Sequence, residues 1–101
     1  MYENTRFFAA SKGSTVAGVI TNTKSRGCVP TYLGVGNFRI TLDKLLDPSE
    51  RIVEVTARTA NTSINISDDT QNNQIDFQIM TPDTQAAVEG MFDVLVRRVE
   101  H

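Results

Sequence analysis

The feature of this sequence that most constrains its fold is a regular alternation of apolar and polar residues with a period of two. The clearest case runs from Phe38 to Leu42, where Arg39 and Thr41 separate three apolar residues. Successive side chains of a β-strand point to opposite faces of a sheet, so this pattern predicts a strand with one buried face.

The same alternation recurs in short segments that turn residues separate at intervals of roughly 8 to 12 positions. Helical segments long enough to connect parallel strands do not occur between them, which argues against a βαβ architecture. The sequence therefore predicts a single domain over residues 1–101, an all-β antiparallel β-sandwich of jelly-roll or immunoglobulin-like type with about seven or eight strands. The further strands are predicted at Arg6–Ser11, Thr15–Thr23, Thr31–Leu33, Ile52–Thr59, Ser63–Ser67, Gln74–Met80 and Met91–Val99.

Turn residues predict where these strands end. Lys12-Gly13-Ser14 is expected to end the first strand, and Asp47-Pro48-Ser49-Glu50 has the composition of a tight turn. Leu45 and Leu46 are expected to plug the end of the sandwich beneath that turn. The sequence allows one short helical turn near 84–89, because Asp83 or Thr84 could cap it.

Two glycines, Gly34 and Gly36, precede the Phe38 strand in the pattern G-x-G. A dinucleotide-binding loop needs a third glycine and a helix after it, whereas Arg39 occupies that place and a strand follows. The two glycines are therefore predicted to supply a positive φ or a bend where the chain enters the strand.

Composition and charge exclude several classes of protein. Hydrophobic residues make up 40% of the 101 residues and charged residues 22%, which is neither a disordered nor a membrane composition. Ten basic and twelve acidic residues give a net charge of −2 without a basic block, so we expect no nucleic-acid partner. The chain has neither a long apolar run nor a signal-peptide pattern, so we expect no membrane partner and synthesis in a host cytoplasm.

The residue types that carry catalysis are few. Cys28 is the only cysteine, and the only histidine is the terminal His101. Chain ends are commonly mobile, so a Cys–His pair is not expected, and Cys28 is predicted to be a small buried side chain. The sequence predicts no catalytic residue, no cofactor and no metal site, and therefore no enzyme.

The predicted outward loops are rich in acidic and amide residues. The segment from Asp68 to Asp76 lacks the ligand pattern of an EF-hand, and such residues are common in tight turns. We expect an ordinary hairpin tip there and a second outward loop at 24–30. The residues predicted to face outward or toward a partner are Arg26, Asp68, Asp69, Asn72 and Asn73.

The last predicted strand is apolar on both of its faces. Its apolar residues are Met91, Phe92, Val94, Leu95, Val96 and Val99. Strands that are apolar on both faces are usually buried on both, but only one face of a strand in a thin sandwich meets the core. We therefore expect these six residues to divide between the core and an interface, which another segment or a neighbouring subunit covers.

Four segments together resemble the small β-sandwich modules found near the C-terminal ends of bacteriophage tail fibres, head fibres and related virion appendages. They are "GVGNFRITLD", "ERIVEVTART", "IDFQIM" and "GMFDVLVRRVE". The residues that match are Gly34, Gly36, Phe38, Ile40, Leu42, Val53, Val55, Thr56, Phe92, Val94 and Val96.

This resemblance implies a non-enzymatic structural protein of a virion, often a homotrimer, whose partners are copies of itself and other capsid or tail proteins. The chain lacks the long N-terminal shaft of a fibre protein, so we expect a free-standing part such as a capsid decoration or an adaptor. The alternative is a carbohydrate-binding or receptor-recognition module, for which Tyr2 and Tyr32 are the available aromatic platforms.

Overall fold

The computed structural model of the chain describes residues 4–16 and 18–100. Within these ranges it contains eight β-strands and one short 3₁₀ turn at Pro48–Glu50. The strands are β1 (Asn4–Val16), β2 (Val19–Arg26), β3 (Cys28–Gly34), β4 (Asn37–Leu42), β5 (Arg51–Ala57), β6 (Ser63–Asp68), β7 (Gln74–Met80) and β8 (Met91–Glu100).

The described strands form two four-stranded antiparallel sheets that pack face to face. Sheet A has the order β2-β1-β8-β5, and sheet B has the order β3-β4-β7-β6. This architecture confirms the predicted all-β sandwich. The immunoglobulin order would place strands 1-2-5-4 and 3-6-7 in the two sheets, so the chain connects the same two layers in a different way.

The core lies between the sheets and is centred on Phe38, Phe77 and Phe92. Their ring centroids are 5.0 to 5.3 Å apart, and each side chain is almost fully buried. Because β4 and β7 alternate between buried and half-exposed residues, the period of two seen in the sequence is confirmed there. Ring pairs at this spacing stabilise a core beyond the area that they bury.

The predicted turn at Lys12-Gly13-Ser14 is wrong, because β1 continues through it to Val16. Gly13 faces the core, where a Cβ atom would lie only 3.0 Å from the Phe92 ring. The pairing of β1 with β2 shifts register between Lys12 and Ser14, so the site is a bulge. The chain turns instead at Gly18, whose φ is +79°.

The outward loop predicted at 24–30 is also wrong. β2 extends to Arg26 and β3 begins at Cys28, so Gly27 alone turns the chain from sheet A to sheet B. Gly27 has a φ of +76°, and a Cβ atom there would lie 2.7 Å from the Phe8 carbonyl oxygen. Only glycine fits this corner, which is why so short a connection suffices.

The helical turn predicted near 84–89 does not form. One hydrogen bond of helical spacing, from the Gln85 N–H to the Thr81 carbonyl, closes a turn, and Gln85 then takes a φ of +56°. The chain continues in extended form, and Ala87 bridges to Met80 of β7. Left-handed backbone at Gln85 ends the turn before a helix can propagate.

The turn predicted at 47–50 is confirmed as the 3₁₀ turn, in which Asp47 accepts hydrogen bonds from the backbone and hydroxyl groups of Ser49. The predicted plug is only half right: Leu46 is buried, whereas Leu45 is 73% exposed. Among the described residues, no helix has the length and apolar character needed to cross a membrane.

Candidate interaction surface

The two faces of β8 have different environments. Phe92, Val94 and Val96 are almost completely buried between the sheets. They serve the core, so these three members of the predicted interface are not available to a partner. Leu95 and the 46% exposed Met91 alternate with them and point away from the core, as does the half-buried Val99.

The outward residues of sheet A form one continuous surface, because the strand register places them side by side. Ala10 of β1 lies opposite both Arg26 of β2 and Leu95 of β8. Arg97 lies between Phe7 and Ile52 in the same way. We call this surface the sheet A face, and its principal residues are Phe7, Ala10, Lys12, Lys24, Arg26, Ile52, Glu54, Met91, Asp93, Leu95 and Arg97.

A groove of about 400 Å³ crosses the sheet A face over β2, β1 and β8. Ala10 and Leu95 supply an apolar floor, and Lys12, Lys24 and Arg26 stand along its sides. Concave surfaces with an apolar floor and a few charged groups are typical binding sites.

The groove carries positive charge that the described residues do not neutralise. Lys12 of β1 pairs directly with Lys24 of β2, and like charges in such cross-strand pairs are destabilising. Asp93 lies on the other side of Lys12 in the register, but its carboxylate pairs with Arg58 at 2.7 Å. Within the described ranges no carboxylate forms an ion pair with either lysine or with Arg26, whose guanidinium lies 5.5 Å above the centre of the Phe7 ring.

The outer face of sheet B differs in its central strands. Arg39 of β4 donates two hydrogen bonds, of 2.8 and 3.1 Å, to the Asp76 carboxylate of β7. This contact raises the pKa of Arg39 above its ordinary value and satisfies both charges. The exposed apolar residues described in sheet B lie on its two edge strands, at Val29 and Leu33 of β3 and at Ile66 of β6. In the described chain, the central strands therefore expose a mixed apolar and basic surface on sheet A alone.

The acidic loop at 68–73, which was predicted to face outward, forms hydrogen bonds within its own domain. The Asp68 carboxylate accepts hydrogen bonds from Thr70, which lower the pKa of Asp68, and Asp69 accepts from the buried Arg51. The Asn72 and Asn73 carbonyls accept backbone hydrogen bonds from the loop and strand beside them. These contacts hold the hairpin tip against its own domain, with Asn72 and Asn73 exposed.

The carboxylates of this segment do not converge on a common point. Asp68, Asp69 and Asp76 each bind a different partner, and no group of three or more His, Cys, Asp or Glu residues in the described ranges is placed to hold a metal. The arrangement is that of a hairpin.

Tyr32 is occupied within its own fold. Its ring packs edge-on against Phe38 at 5.9 Å, and its hydroxyl donates a 2.8 Å hydrogen bond to Glu89. Only the protonated phenol can donate this hydrogen bond, so the bond raises the pKa of Tyr32. Tyr2, the other tyrosine considered as a sugar platform, lies outside the described residues.

Cys28 is buried, as the sequence predicts. Its thiol lies 3.4 Å from the Ala10 carbonyl oxygen, and burial raises the pKa of the thiol. A buried thiol with a raised pKa is a poor nucleophile, which fits the packing role. His101 lies outside the described residues.

Searches with this chain found no matching protein-family model, no matching curated protein and no matching solved structure. The site must therefore be interpreted from its own geometry. Sequence reasoning missed the groove because Lys12 and Lys24 come together only through the register of β1 and β2.

Proposed function

We propose that this chain is a non-enzymatic structural module that acts through protein–protein contacts, including contacts with copies of itself, and that the sheet A face is its contact surface. The observation that carries the proposal is the exposure of apolar and basic side chains on the central strands of sheet A. Contiguous apolar patches are usually covered by a partner in proteins of this size.

The resemblance to β-sandwich modules of bacteriophage appendages supports a more specific version of this proposal. In that version the protein belongs to a virion, as a capsid decoration, an appendage module or an adaptor, and binds other capsid or tail proteins. A small two-layer domain buries a modest core, so contacts between subunits would add to its stability.

The carbohydrate alternative has less support. Sugar-binding sites commonly use exposed aromatic rings, and the described Tyr32 instead uses its ring and hydroxyl within the domain. A receptor that bound in the groove would contact lysine, arginine and aliphatic side chains rather than aromatic rings.

A pair of matched variants tests the proposal. Ile52 lies on the sheet A face and is 45% exposed, whereas Val29 is 56% exposed on the edge of sheet B. We expect the wild-type protein to gain mass with concentration in light scattering, and Ile52→Ser to weaken that association by about tenfold, as removal of an interface side chain commonly does.

Val29→Ser is the control and should associate like the wild-type protein, because it removes a similar aliphatic group from the other sheet. A weakening by Val29→Ser with no effect of Ile52→Ser would place the contact surface on sheet B and contradict the proposal.

A further inference from the structure

Leu45 is the most exposed of the large hydrophobic residues described, with 73% of its surface accessible. Single exposed apolar residues are common on protein surfaces and need no explanation by themselves. This one differs because the chain on both sides of it is fixed.

Two backbone hydrogen bonds fix the loop that carries Leu45. The Asp43 N–H donates to the Gly27 carbonyl at 2.9 Å, and the Leu46 N–H donates to the Asn72 carbonyl at 2.8 Å. The Leu46 side chain is buried, and its carbonyl accepts a 2.7 Å hydrogen bond from Arg51. Leu45 is thus held outward between two anchored residues. A backbone that is already fixed loses little entropy on binding, which favours the use of Leu45 as an anchor.

The charges around Leu45 are mainly negative. Residues 43–50, which we call the Leu45 loop, contain three carboxylates and one ammonium group, contributed by Asp43, Asp47, Glu50 and Lys44. The backbone and hydroxyl of Ser49 bind the Asp47 carboxylate and hold its pKa below the ordinary value. The loop therefore presents an apolar knob with negative charge beside it at neutral pH.

The groove on the sheet A face has the complementary character. Its floor is Ala10 and Leu95, and Lys12, Lys24 and Arg26 supply positive charge along its sides. The one carboxylate that lines it, Asp93, pairs with Arg58. The residues that line it do not include Leu45, so a copy does not fill its own groove. An acidic partner would also relieve the repulsion between the paired lysines.

From this match we propose that the Leu45 loop of one copy docks into the sheet A groove of a second copy, with Leu45 over Ala10 and Leu95, the loop carboxylates near the lysines, and Ile52 at the border of the contact. The proposal rests on the proposed function and names its self-association contact.

The contact uses two different surfaces of the same chain, so it is heterologous. A docked pair keeps one unused knob, on one copy, and one unused groove, on the other, and such contacts generate a ring where the rotation closes or a filament where it does not. Because charge contributes, the association should weaken as salt rises.

The test uses two variants that each remove one side of the contact. Leu45→Ser removes the knob, and the double variant Lys12→Glu, Lys24→Glu reverses the charge of the groove. Each should raise the dissociation constant of self-association at least about tenfold, the effect expected for an anchor residue or a buried charge contact. Val35→Ser removes a 54% exposed aliphatic side chain from a hairpin turn and should change nothing.

Mixing the two variants gives the decisive result. The Leu45→Ser copy keeps an intact groove and the lysine variant keeps an intact knob, so together they should form a 1:1 complex in native mass spectrometry and no larger species. The double variant Lys12→Gln, Lys24→Gln should weaken self-association less than charge reversal. Thermal unfolding confirms that each variant is folded.

Two outcomes would overturn this contact and leave the proposed function standing. In the first, the wild type associates and Leu45→Ser associates equally well. In the second, each variant loses association but the mixture stays monomeric. A wild-type protein that stays monomeric at all concentrations would overturn the proposed docking. It would also contradict the self-association that the Ile52→Ser and Val29→Ser variants are designed to test.

Discussion

At the scale of single residues, the two glycines before β4 have different roles. Gly36 lies in the turn between β3 and β4 with a φ of +71°, and a Cβ atom there would lie 2.6 Å from the Ile79 carbonyl oxygen. Gly34 has no atom within 4 Å of the corresponding position. The predicted bend on entry to the strand is therefore confirmed at Gly36 alone.

This difference makes the pair a matched test of stability. Gly36→Ala should lower the free energy of unfolding by about 2 kcal/mol or more, because alanine is strained at positive φ and its methyl group meets backbone. Gly34→Ala should stay within about 0.5 kcal/mol of the wild type. Urea unfolding measures both. A Gly36→Ala protein as stable as Gly34→Ala would show that the turn is not closed as described.

The Ile79 carbonyl oxygen of β7 and the Val88 amide of the segment after β7 limit Gly36, and neither could be inferred from the order of residues around it. The G-x-G pattern and the following period of two were sufficient to predict a bend before a strand. Which glycine bends depends on Ile79 and Val88, which lie far along the chain.

At the scale of elements, the strands predicted best are those whose burial follows the sequence period. β4 and β7 were placed within a residue because each alternates regularly and has one buried face. β1 and β2 were misplaced because Gly13 was interpreted as a turn residue, whereas it gives room to the Phe92 ring. That contact joins two strands from opposite ends of the sequence.

The groove and the Leu45 loop could not be predicted for a related reason. Residues 12 and 24 form a pair only because the bulge in this hairpin fixes their register. Leu45 and Leu46 are identical in type, so the sequence could not tell which one enters the core. Leu46 does, since its N–H and carbonyl are both engaged by neighbouring elements.

β5 begins with a buried cation that the sequence prediction missed. The Arg51 side chain is fully buried, donates to the Leu46 carbonyl at 2.7 Å and binds Asp69 through two of its nitrogens, with Nε at 3.0 Å. It links β5 to the Leu45 loop and to the 68–73 hairpin tip. Arg58, by comparison, pairs with Asp93 with 56% of its side chain exposed.

Removing these two arginines should have unequal effects on stability. Arg51→Met should cost about 3 kcal/mol, because it leaves the partly buried Asp69 carboxylate and the Leu46 and Gln74 carbonyl groups without their donor. Arg58→Met should cost about 1 kcal/mol or less, as exposed ion pairs do. Thermal or urea unfolding measures the stability of both variants. Equal losses of unfolding free energy would contradict the structural role given to Arg51.

At the scale of the whole molecule, the two sheets pack on each other but present different outer faces. Their facing sides share one core around three phenylalanine rings, while their outer sides differ in character. On the outer side of sheet B, a bidentate ion pair joins the two central strands, whereas sheet A leaves lysines and aliphatic groups exposed. From this asymmetry we expect any contact with a partner to lie on sheet A.

The same asymmetry accounts for what the sequence predicted correctly about β8 and what it missed. A strand apolar on both faces was expected to serve a core and an interface together. The structure assigns Phe92, Val94 and Val96 to the core, and it leaves Met91, Leu95 and Val99 on the outer side, where contact with a partner stays a prediction.

The most direct test of a contact surface on sheet A is methyl NMR of the wild-type protein over a wide range of concentration. The methyl signals of Ala10, Ile52 and Leu95 should shift and broaden as concentration rises, while those of Val29 and Leu33 on sheet B stay in place. Changes confined to Val29 and Leu33, or no changes at any concentration, would contradict the account.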